Sequence, residues 1–308
     1  MAGNSTKAIV AAFFANAGIA VAKFVGFLIT GSSSMLAESV HSVADSGNQG
    51  LLLMGNRLSH RGPTVEHPFG YGRERYFWSF VVALVLFSLG GAFATYEGIE
   101  KIRHPHELES ISVAIGILVF GIFLEGWSFR TAIVESRPLK GDNSWWQFIR
   151  KSRNPELPVV LLEDFGAQIG LFLALSGVVL SDVTGDPVWD GIGTLCIGLL
   201  LGVIAVVLAI EMKSLLIGES ASAPDRSKII EAIDATNGAR SLIHIRTQHI
   251  GPDDLLVAAK VEFDPDLDTE DLAAAVDATE AEIRRRVPAA TRIYLEPDLR
   301  RMSVRDER

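Results

Sequence analysis

Six apolar runs, each roughly 20 residues long, dominate the first 218 residues and alternate with short charged loops. Runs of that length match the hydrocarbon thickness of a bilayer, and a backbone crossing lipid must satisfy its own polar groups as a helix. The spans are expected at about Ala8–Thr30, Met35–Leu58, Tyr76–Glu97, Ile111–Ile133, Leu157–Ser181 and Trp189–Leu216. Residues 219–308 differ sharply: 19 acidic and 13 basic residues give that stretch a net charge of −6, which belongs in water. The expected organisation is a six-helix transmembrane domain over 1–218 and a soluble domain over 219–308. The first apolar run begins without a small-residue cleavage site, so it reads as a retained span and not a signal peptide.

The loops give an orientation. Arg57, Arg61, Arg73 and Arg75 lie between spans two and three, and Arg137, Lys140, Arg150, Lys151 and Arg153 between spans four and five. The loop Ser181–Asp186 has no basic residue, although Lys101 and Arg103 follow span three. This bias places both termini in the cytoplasm, with Trp145 and Trp146 in an interfacial segment.

Within the second span stand Glu38, His41 and Asp45. Ionisable groups at membrane depth are expensive and mark ion paths or binding sites. His41 and Asp45 are four apart and share a helix face, so imidazole and carboxylate together form half of a tetrahedral divalent-metal site. The blander alternative is a polar pair bonded to a neighbouring helix. Span five repeats the anomaly with Glu163 and Asp164, and Gln168 shares the face of Asp164. Water at the cytoplasmic interface is the alternative for that pair. A set of His41, Asp45 and Asp164 follows, completed by Gln168, Glu163, Asn48 or water. Lys23 is expected to pair with Glu38 in preference to snorkelling outward. Glu125 in span four reads equally as a proton relay or as a helix-packing hydrogen bond.

The tail has its own periodicity. A helix over Asp225–Ala235 ends at Asn237-Gly238, strands cover Ile243–Ile250 and Leu255–Phe263, and Asp268 caps a helix from Thr269 to about Arg286. Arg292–Glu296 is a third strand. The order αββαβ is a small α+β domain, ferredoxin-like in kind, whose short sheet suits a homodimer. The single cysteine, Cys196, lies in an apolar run, which removes disulfides and thiolate clusters. No basic patch with interleaved aromatics suggests nucleic acid, and no nucleophile–base pair or phosphate cradle suggests an enzyme.

Three passages resemble the cation diffusion facilitator family, in particular the branch of zinc transporter nine. They are Gly31-Ser-Ser-Ser-Met-Leu-Ala-Glu-Ser-Val-His-Ser-Val-Ala-Asp45, the loop His67-Pro-Phe-Gly-Tyr-Gly-Arg-Glu-Arg75, and the spans-plus-tail plan itself. The Leu-Glu-Asp of span five and Gly141-Asp-Asn-Ser-Trp-Trp146 point to the branch. The resemblance implies a zinc/proton antiporter acting as a homodimer in a bacterial plasma membrane, with Zn2+ as transported substrate and protons as counter-ion. A manganese, iron or cobalt exporter, or a non-transporting membrane-anchored scaffold or sensor, are the alternatives. The family's span-five histidine falls on Val160, which cannot bind metal. In the second-site loop only His67 looks usable, with Tyr71 where a histidine can occur. In the tail Tyr294 replaces a histidine, and His244 and His249 read as surface residues.

Overall fold

The computed structural model describes residues 2–31, 33–106 and 110–299; among these, the side chains of residues 2–15, 33, 34, 38, 41 and 87 lie outside the description. Helices α1 (Ala2–Thr30) and α2 (Ser33–Ser59) are followed by a continuous helical segment, Glu74–Arg103. That segment consists of α3 (Glu74–Val85), a π-helical stretch (Leu86–Ala92) and α4 (Phe93–Arg103). Then come α5 (Ile111–Lys140), the short α6 (Trp145–Lys151), α7 (Glu156–Thr184) and α8 (Val188–Ile217).

Glu74–Arg103, α5, α7 and α8 are long and apolar enough to cross a membrane. The other two expected spans do not meet that measure among the described residues. In α1 the described apolar part is Asn16–Thr30, too short by itself, and α2 carries serines, Asp45, Asn48 and Gln49 within its length. The polar residues that single out α2 also lower its hydropathy below that of the four long apolar helices. Close helix contacts rest on small residues: a Cβ at Gly98 would come within 2.5 Å of the Leu195 backbone nitrogen on α8. Helix α6 is a short helix of about two turns, started by a capping box in which Ser144 and Gln147 bond each other's backbone N–H.

Two compact units result. One comprises residues up to 60 together with 74–213; the other joins the loop 61–73 to residues from 214 onward. In the second unit, α9 (Ala223–Asp234) begins at a Ser222 cap, slightly earlier than the sequence suggests. Strands β1 (Ala239–Gly251), β2 (Asp254–Phe263) and β3 (Arg292–Asp298) form a three-stranded mixed sheet in the order β1-β2-β3, with α10 (Thr269–Arg286) crossing between β2 and β3. β1 runs antiparallel to β2, and β3 parallel to it. The clean alternation of β2 buries Leu255, Val257, Ala259, Val261 and Phe263 against Ile229, Ile233 and Ile283 of the two helices.

β1 starts four residues before the expected Ile243, because bulges between Ala239 and Ser241 and between Leu242 and His244 interrupt its alternation. A third irregularity, between His249 and Gly251, accompanies a correction: His249 is buried, not on the surface, whereas His244 is exposed and accepts a hydrogen bond from Arg246. The loop 61–73 meets the β1–β2 turn so closely that a Cβ on Gly72 would sit 2.7 Å from the Ile250 carbonyl oxygen. Within that loop His67 and Tyr71 stack edge to face at 4.6 Å.

Candidate metal site

Asp45 and Asn48 project from α2 on the turns following His41, whose side chain lies outside the described residues. Glu163 and Asp164 come from the first half of α7. All four are buried: Asp45 is 4%, Asn48 0%, Glu163 5% and Asp164 8% exposed, so the α7 carboxyls do not sit in interfacial water. Asn48 Nδ2 donates to Glu163 Oε1 at 3.0 Å. The Asp45 and Glu163 carboxyls face one another closely enough to interact directly across the α2–α7 contact. On the other side of α7, Ser128 Oγ of α5 donates to Asp164 Oδ2 at 3.1 Å.

Adjacent residues on a helix diverge by about 100°, and the two α7 carboxyls do so here: Glu163 turns to α2, Asp164 to α5. Gln168 follows Asp164, its Oε1 in van der Waals range of a Cβ built on Gly126 and without a hydrogen-bond partner. Among the described residues no three His, Cys, Asp or Glu side chains are gathered as a ready-made metal cage. Glu163 is engaged by Asn48 and Asp164 by Ser128.

Two further charges bear on this cluster. Lys23 of α1 is buried and donates to Ser42 Oγ on α2 at 2.8 Å, so it does not snorkel; its expected partner Glu38 has a side chain outside the description. Glu125 of α5 is buried within electrostatic reach of Asp45, Glu163 and Asp164. Val160 packs with Ala132, Phe148 and Leu161, an apolar role at the position where the resemblance implies histidine. The entry to α7 is fixed by Arg75, whose Nε lies 2.8 Å from Glu156 Oε1. Sequence reasoning missed Ser128 and Arg75. Serine in a span is too common to signal anything, and Arg75 counts there only as a loop charge.

Residues 9–217 match the Cation efflux transmembrane domain, and residues 221–298 match the Cation efflux protein, cytoplasmic domain. The chain belongs to the cation efflux family, the cation diffusion facilitators. It is accordingly an integral, multi-pass membrane protein with a C-terminal domain built on a small mixed sheet. Family members similar to it include the mouse (Mus musculus) "Proton-coupled zinc antiporter SLC30A9, mitochondrial", 32% identical over 245 residues, which is 79% of this chain and 43% of that protein. The chain thus spans less than half the length of these mitochondrial relatives. "Metal tolerance protein C4" of Arabidopsis thaliana is 32% identical over 84% of this chain and 57% of its own length. The "Magnetosome protein MamB" of Magnetospirillum gryphiswaldense is 25% identical over 96% of this chain and 94% of its own. A solved MamM-CTD variant aligns with 26% of this chain and 94% of its own at 23% identity, with a TM-score of 0.24.

Proposed function

We propose that this cation efflux protein exports a divalent metal, Zn2+ in first place, in exchange for protons, with six spans, cytoplasmic termini and a homodimeric assembly in a bacterial plasma membrane. The observation that carries this reading is the meeting of Asp45 from α2 with Glu163 from α7 inside the helical unit, Asp164 beside it. Two carboxyl groups brought together away from water can hold either a proton or a dication between them, and binding the dication displaces the proton. Metal loading and proton uptake then compete for the same oxygens. His41, Asp45 and Asp164 are the proposed ligands, with Glu163 or Gln168 completing the set; Gln168 Oε1 is buried and lacks a hydrogen-bond partner.

The ligand chemistry bears on the metal. One imidazole with carboxylate and amide oxygens suits zinc, and leaves manganese, iron and cobalt as competing substrates because Val160 removes the second imidazole. The zinc antiporter name of the SLC30A9 relatives supports zinc. Loading requires Glu163 to leave Asn48 or Asp164 to leave Ser128. The second reading is a membrane-anchored scaffold or sensor. The buried carboxyl cluster weighs against it, since a core freed from transport has no physical need for such groups.

The test is zinc flux into proteoliposomes against an imposed proton gradient. Wild-type protein is expected to move Zn2+, and Asp45→Ala and His41→Ala to abolish the movement. Undiminished flux in both variants would sink the ligand assignment, and no flux in the wild type would favour the scaffold.

A further inference from the structure

Between α1 and α5 lies a cavity of about 530 Å³, lined by Asn16, Lys23, Leu124, Glu125, Trp127 and Ser128 among others. Its lining is mainly apolar, with Lys23, Glu125 and Ser128 among its polar members. Glu125, 4% exposed, opens into it, and no hydrogen bond joins this carboxyl to another described residue. A buried carboxylate without a donor is costly, so its retention calls for an occupant. Ser128, one helical turn along the same face, connects the cavity to the candidate site: its Oγ–H is donated to Asp164, which leaves the oxygen lone pairs free to face a cation.

The charge balance points the same way. Asp45, Glu125, Glu163 and Asp164 interact electrostatically, and Lys23 is a described cation in reach of Asp45. Carboxyl groups outnumber ammonium groups among the described members of this cluster, so it suits cations, whether protons or a dication. Glu163 and Asp164 have described hydrogen-bond donors, and Glu125 has none among the described residues.

The geometry points to Glu125 as a cation-binding carboxylate in its own right, a second oxygen station for the transported dication between Asp164 and the α1–α5 cavity, with Ser128 Oγ as its neighbour. The inference rests on the transport reading above, and it adds to that reading a route: the metal passes from the α2–α7 carboxyls to Glu125 on its way to or from the cavity. It also adds selectivity, because a station made of carboxylate and hydroxyl oxygens treats hard cations differently from soft ones.

The experiment compares wild type with Glu125→Gln, Glu125→Asp and Glu125→Cys in proteoliposomes, measuring Zn2+, Mn2+ and Cd2+ flux under one proton gradient. The same proteins are titrated with Zn2+ and Cd2+ in detergent. Glu125→Gln is expected to lower Zn2+ flux by roughly tenfold, the effect of about 1.4 kcal/mol, with Glu125→Asp in between. Glu125→Cys, offering a thiolate, is expected to raise the Cd2+ to Mn2+ flux ratio and to tighten Cd2+ relative to Zn2+ in the titration by about the same factor. A merely structural carboxylate would not move that ratio. Wild-type flux in monodisperse Glu125→Gln, or an unchanged metal ratio in Glu125→Cys, overturns the inference. Should the Gln variant not fold, the Cys and Asp variants decide by the ratio alone. Wild-type protein that binds metal without moving it sinks the transport reading and leaves the Glu125 titration as the judge of the station. Wild-type protein that does neither overturns both.

Discussion

Asn48 on α2 holds Glu163 on α7 through a 3.0 Å hydrogen bond between two buried side chains. The contact joins residues 115 apart in sequence and ties together the two helices that carry the candidate ligands. Asn48→Ala removes a donor from a buried carboxyl without offering water in its place. The expected cost is about 1–3 kcal/mol, seen as a lower thermal midpoint in detergent. Zinc should recover part of that loss, because a cation at Glu163 replaces the missing donor. An unchanged midpoint would mean that α2 and α7 are held together elsewhere.

The tail should show its own pH dependence through Glu282. Hydrogen bonds from Arg285 and Arg286 hold this carboxyl at a pKa of about 2, below its ordinary value of 4.5. The depressed folded-state value means that the contribution is fully present above pH 4.5 and disappears as pH falls toward 2. Glu282→Gln should therefore lower the unfolding midpoint of the tail at neutral pH, and the gap to wild type should close on acidification. The ion pairs lie at the surface within reach of solvent, so the effect will be small and weakened by salt. A gap that widens at low pH would contradict the assignment.

How far the sequence reached differs from element to element. The carboxyls of spans two and five were visible because lipid makes charges conspicuous, and β2 because its alternation is uninterrupted. His244 and His249 both read as surface residues, and His249 is buried instead; the register shifts along β1 change which face a side chain takes, which spacing alone does not encode. The π-helical stretch Leu86–Ala92 leaves no trace in composition, since it changes which backbone groups bond and not which side chains are apolar. At the candidate site, the i and i+4 spacing named Asp45. The divergence of Glu163 toward α2 and Asp164 toward α5 depends on which helices flank α7, and helix neighbourhood is a tertiary fact that spacing within one span does not encode.

Gly72 offers a direct probe of the loop that precedes α3. A Cβ there would meet the Ile250 carbonyl oxygen at 2.7 Å and the Gly251 Cα at 3.1 Å, both backbone atoms that cannot swing aside. Gly72→Val should therefore push the 61–73 loop off the β1–β2 turn. Faster limited proteolysis at Arg61 and Arg73, with the helical unit intact, is the expected result. Equal cleavage rates in variant and wild type would show that the turn yields without releasing the loop.

Val160 is where the chain departs from the pattern its resemblance implies, and reversing that departure tests the site. Val160 packs against a small apolar cluster of Ala132, Phe148 and Leu161. Val160→His should destabilise the metal-free protein by about 1–3 kcal/mol, because a polar ring replaces an apolar side chain in that cluster. It also stands four residues before Asp164, one turn along the same helix face, and adds a second imidazole to a set that has one. Zn2+ should then raise the thermal midpoint of Val160→His more than that of wild type, while Mn2+, which gains less from imidazole, should not. Equal zinc shifts in the two proteins would place position 160 on the packing side of α7 alone and leave oxygen ligands to complete the site.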